Sequence, residues 1–67
     1  MKRPVSIRGK KILLVEDNEL NMEIAEFLLR KEGAQVIRAW NGKEALECFE
    51  ASAPGDISVI LMDLVMP

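Results

Sequence analysis

The sequence predicts an α/β fold, β-α-β-α-β with a parallel sheet. Three observations predict it. Short runs of branched apolar residues recur at Lys11 to Val15, Ala34 to Ala39 and Ile57 to Met62. The segments between them carry apolar residues at helical spacing, with caps at their starts. Gly and Pro fall where helices must stop, at Gly33 and Pro54-Gly55. Alternating strands and helices favour a parallel sheet with right-handed crossovers.

The first strand, Lys11-Ile-Leu-Leu-Val15, lies between Gly9 and the polar Glu16-Asp17-Asn18. A run this apolar reads as a buried strand. Asn18 is the candidate N-cap of the first helix, with Glu19 in the first turn, where the helix dipole favours an acid. Leu20, Ile24, Phe27 and Leu28 recur at i, i+4, i+7 and i+8 and predict one apolar face for the core. Arg30 and Lys31 complement the dipole at the other end, and Gly33 suits the left-handed position that follows a helix.

Ala34 to Ala39 reads as the second strand. Asn41 with Glu44 three residues on has the spacing of a capping box for the second helix. Its apolar face is Ala45, Leu46 and Phe49, and Ala53-Pro54-Gly55 ends it. Ile57 to Met62 is near-continuously apolar, as expected of a strand covered on both faces. Asp63 follows it. Trp40, Met22, Met62 and Met66 read as packing residues, and Cys48 as an inert thiol.

Composition narrows the chemistry. Of the 67 residues 49% are hydrophobic and 30% charged, which argues for a folded chain. With no His and one Cys, zinc sites of the Cys/His type, Ser/His triads and internal disulfides are excluded. Carboxylates remain. The net charge of −2 divides into +5 over residues 1–11 and −7 over residues 12–67. Residues 1–10 therefore read as a basic tail or linker and residues 11–67 as the domain. The tail has no aromatic residue or amphipathic pattern, so neither nucleic acid nor membrane is expected as its partner. The longest apolar run is too short to cross a bilayer, and a cytoplasmic location is expected.

In open parallel sheets functional groups collect at the carboxyl ends of the strands, where strand order reverses. With order 2-1-3, Glu16, Asp17 and Asp63 would converge there. Like charges so close repel unless a cation sits among them, and Mg²⁺ suits hard oxygen ligands. Each acid alone is as readily a cap or turn residue; their joint placement is the signal.

The strings Ile12-Leu-Leu-Val-Glu-Asp-Asn18, Asn41-Gly-Lys-Glu-Ala-Leu46 and Leu61-Met-Asp-Leu-Val-Met-Pro67 resemble a response-regulator receiver domain. Glu16 to Asn21 looks most like receivers of hybrid sensor histidine kinases. The resemblance implies that Asp63 is the phospho-acceptor and that Asp17 ligates Mg²⁺ directly. It also implies that Glu16 ligates through water and that Val65 ligates through its backbone carbonyl. A histidine kinase or phosphotransfer protein would be the partner. A receiver is a flavodoxin-like fold of five β-α units, so the resemblance implies that the chain is its N-terminal half, with parallel strand order 2-1-3. The resemblance places the switch Ser/Thr after strand 4, the switch aromatic on strand 5 and the Lys after strand 5 beyond Pro67. The chain by itself is therefore expected to be inactive and to self-associate as a homodimer or higher oligomer. A structural half-domain without phosphotransfer is the alternative. A haloacid-dehalogenase-type phosphohydrolase would need a second Asp where Val65 stands.

Overall fold

The computed structural model describes residues 7–62. The elements run β1 (Lys11–Val15), α1 (Glu19–Lys31), β2 (Gln35–Ala39), α2 (Gly42–Ala51) and β3 (Val59–Met62). The sheet order is β2-β1-β3. Both pairings are parallel, with Leu13 opposite Ile37 on one side and Ile60 on the other. The predicted architecture and strand order are those observed.

The central strand is the core. Ile12, Leu13, Leu14 and Val15 are all buried, and strand alternation sends them to opposite faces. Leu13 and Val15 pack with Ala39 and Ala45, flanked by Ile37, Cys48 and Ile57. Leu14 faces α1, beside Ile24, Ala25 and Leu28. The two helices thus cover opposite faces of the sheet, as right-handed crossovers to opposite sides of β1 require.

Local signals place the ends. The Asn18 side chain accepts from the Asn21 N–H at 2.9 Å, and that of Asn41 from the Glu44 N–H at 2.8 Å. The box at α2 is one residue wider than expected: Glu44 Oε1 accepts from the Trp40 N–H, at 2.9 Å. Gly33 has φ +92°, and a Cβ there would stand 3.0 Å from the Arg8 side chain, so the position demands Gly twice over. Its carbonyl accepts from the Gly9 N–H at 2.8 Å, and the Lys10 carbonyl accepts from the Gln35 N–H at 2.8 Å.

Three expectations about packing are overturned. The predicted core face of α1 is mostly in solvent: Leu20, Ile24, Phe27 and Leu28 are each more than half exposed. Met22, read from the sequence as a packing residue, is the buried residue of that helix. On α2, Ala45 is buried, whereas Leu46 and Phe49 remain exposed. The third strand begins at Val59, two residues late, and all four of its residues are exposed. The cause is common to all three. Both helices pack over β1 and β2, and among the described residues neither packs on β3.

Candidate acidic site at the strand ends

β1 and β3 end level with each other, since Val15 pairs with Met62. Directly after Val15 the chain places one acid inward and one outward. Glu16 is buried, only 3% exposed. Its N–H donates to the Ala39 carbonyl at 3.0 Å, which extends the β1–β2 ladder by a step. Its Oε1 accepts from the Asn18 N–H at 3.1 Å. The side chain therefore holds the turn that leads into α1. Asp17, next along the chain, is exposed.

Beside these acids lies an open groove of about 390 Å³ between α1 and β3. Glu16 and Asn21 form its polar end, and Leu14, Ile24, Leu28, Leu61 and Met62 line the rest. Among the described residues no three His, Cys, Asp or Glu side chains form a metal-holding group. The remaining members of the expected set, Asp63 and Val65, lie outside the described residues. The donors of Glu16 and Asp17 are carboxylate oxygens, the type that Mg²⁺ accepts. In donor chemistry the two residues fit that ion.

Two ion-paired groups escaped the sequence reading. Glu26 on α1 takes Arg30, one turn on, at 2.7 Å, and also Arg38 of β2. Its carboxyl is held below the usual 4.5, first by the hydrogen bond from Arg30 and then by Arg38, against an opposing effect of burial. The Glu26/Arg30 spacing was visible in the sequence as an i, i+4 pair; the Arg38 partner was not. Lys11 and Asp56 form the second pair, across 45 positions of sequence.

A three-stranded parallel sheet wound on both faces, with acids after its central strand, defines a doubly wound α/β domain whose site lies at the carboxyl edge. The family model described as the response regulator receiver domain matches residues 12–67. The chain belongs to that family. It is similar to the polar-differentiation response regulator DivK of Brucella anthropi, with 41% identity over 87% of this chain and 45% of that protein. The aerobic respiration control sensor protein ArcB of Escherichia coli is 45% identical over 84% of this chain and 7% of its own length. A probable histidine kinase 4 of rice, Oryza sativa subsp. japonica, is 41% identical over 88% of this chain and 6% of its own. The chain thus spans about half of the first of these relatives and a small part of the other two. Among the described residues, no helix is long and apolar enough to cross a membrane.

Proposed function

We propose that this chain carries the phosphoryl-accepting part of a receiver module, residues 11–67, behind a basic tail at residues 1–10. Asp63 is the acceptor. Its carboxylate oxygen attacks the phosphorus of a phosphohistidine on a histidine kinase or phosphotransfer protein. The P–N bond breaks as the P–O bond forms, the imidazole nitrogen keeps the electron pair, and an aspartyl phosphate results. Asp17 would hold Mg²⁺ directly, Glu16 through water and Val65 through its backbone carbonyl. When bound, the ion supplies charge compensation for the nucleophile and the transferred group.

The observation that carries this reading is the register of β1 and β3. Val15 and Met62 are partners, and each is followed in the sequence by acid, Glu16-Asp17 and Asp63. Glu16 spends one oxygen on the Asn18 N–H, which pins the turn that carries Asp17. Membership in the receiver family adds support. Similarity to ArcB and to the rice kinase favours a hybrid kinase as parent, and the cytoplasm as the compartment. The test is incubation with acetyl phosphate or a phosphorylated histidine kinase, with and without Mg²⁺, read by intact mass. A phosphoryl adduct that needs Mg²⁺ and disappears in Asp63→Asn is the expected result. No adduct, or an equal adduct in Asp63→Asn, overturns the reading.

A second reading concerns assembly. Among the described residues ten large hydrophobic side chains are exposed, Val59 to Met62 included. Monomers rarely show contiguous apolar patches beyond a few hundred Å². On this reading the chain self-associates through these apolar faces, as a structural or interaction element that needs no chemistry at Asp63.

A further inference from the structure

We propose that Glu44 is a positioning residue of the acidic site: by holding the Trp40 N–H, its carboxylate aims the Ala39 carbonyl at the backbone of Glu16. The proposal rests on the reading of Glu16 and Asp17 as metal-holding acids and deepens it.

Glu44 stands in the first turn of α2, just beyond the carboxyl end of β2. It is held there from two sides. Its N–H donates to Asn41 Oδ1 at 2.8 Å, and its Oε1 accepts from the Trp40 N–H at 2.9 Å. That N–H belongs to the peptide joining Ala39 to Trp40. A trans peptide is a rigid plane whose N–H and C=O point opposite ways, so pinning one end aims the other. The other end, the Ala39 carbonyl, accepts from the Glu16 N–H at 3.0 Å. Hydrogen bonds strung through one peptide strengthen each other.

The bond to Glu16 lies one step past the last strand pair, Val15 with Ala39. At the end of a ladder, opening costs least. Beyond it the chain leaves the sheet. Glu16 Oε1 accepts from the Asn18 N–H at 3.1 Å, closing a turn around Asp17, and Asn18 Oδ1 accepts from the Asn21 N–H at 2.9 Å. The acids therefore hang between a chain of bonds into α1 and a single bond into β2, and Glu44 sets the second. Capping alone does not require this geometry. An acid that only capped α2 would accept from the N–H of the cap residue Asn41. Glu44 instead reaches one residue further, to the N–H that shares a peptide with Ala39.

The test crosses reach with charge. Glu44→Asp keeps the charge and an acid in the first turn of α2, but is a methylene short of the Trp40 N–H. Glu44→Gln keeps the reach and an acceptor oxygen, but drops the charge. On the metal-free chain, amide exchange is read at two ladder bonds, from the Glu16 N–H to Ala39 and from the Gln35 N–H to Lys10. A general loss of stability moves both amides; a local one moves only Glu16. Glu44→Asp should speed exchange at Glu16 about tenfold relative to Gln35, the effect of losing one hydrogen bond. Mn²⁺, titrated against the same variants and read by broadening of the Asp17 amide signal, should bind Glu44→Asp about tenfold more weakly, as when a supporting partner of a metal ligand is removed. Glu44→Gln should recover most of both losses.

If the two amides change together, or Glu44→Gln loses as much as Glu44→Asp, the side chain acts through helix stability or charge alone and the proposal is overturned. A wild type that binds Mn²⁺ no better than Glu44→Asp would overturn this role and leave the metal reading in place. A wild type that binds no Mn²⁺ would overturn the metal reading and this role with it.

Discussion

Lys11 Nζ lies 3.0 and 2.8 Å from the two carboxylate oxygens of Asp56, which ties the first residue of β1 to the connection between α2 and β3. Ser58 bonds to the Lys11 carbonyl as well, so one residue holds the entry to β3 by both its backbone and its side chain. Asp56→Ala should lower stability by about 0.5–1 kcal/mol, the range of partly exposed pairs. The loss should shrink in high salt. Urea midpoints of wild type and variant at low and high ionic strength check it, and a salt-independent difference would contradict an ionic origin.

Glu26 predicts a pH dependence whose sign follows from its partners. Because its folded carboxyl titrates below the unfolded value of 4.5, its stabilisation is complete above that value. It is lost as pH falls through the depressed folded value. Glu26→Gln should therefore cost about 1 kcal/mol at neutral pH and much less in acid. The two urea midpoints should converge below pH 4.5. Parallel curves would show that the guanidinium partners do not act through charge.

Divalent cations should bind weakly, because the family's ligand set is small and hydrated. Asp17→Asn removes the proposed direct ligand and should abolish most of the response to Mg²⁺ or Mn²⁺. Glu16 is buried and holds the Asn18 N–H, so Glu16→Gln should reduce metal binding and also loosen the start of α1. Equal titrations of wild type and Asp17→Asn would mean that these acids form no site.

Phosphorylation of a peptide of residues 1–67 taken alone should be slow. Phosphoryl transfer depends on positioning and on charge stabilisation of the equatorial oxygens. The receiver resemblance assigns part of both to a Lys and a hydroxyl that no residue of 1–67 matches. Loss of one such donor costs on the order of 10² to 10³ in rate. Time courses with acetyl phosphate should show a trace adduct at Asp63 that accumulates far below stoichiometry. Rapid, complete labelling that disappears in Asp63→Asn would overturn this expectation.

What the sequence by itself determined is what neighbouring residues decide. Strand β1 could be read to the residue because Gly9 and Glu16-Asp17-Asn18 bound an unbroken apolar run. The caps Asn18 and Asn41 were legible because each bonds an N–H three residues on. Gly33 was legible because a left-handed backbone selects it locally. The strand order 2-1-3 came with the receiver resemblance, because connection handedness alone allows other orders. Periodicity also identified the apolar stripes of α1 and α2, but a stripe does not say what covers it. Only the tertiary structure decided that, by seating both helices over β1 and β2 and leaving Leu20, Phe27 and Phe49 exposed. It likewise decided that Glu16 is buried while its neighbour Asp17 is not, and that Glu26 reaches Arg38 across 12 positions. Each of these is a relation between segments distant in the chain, set by how helices dock on a sheet.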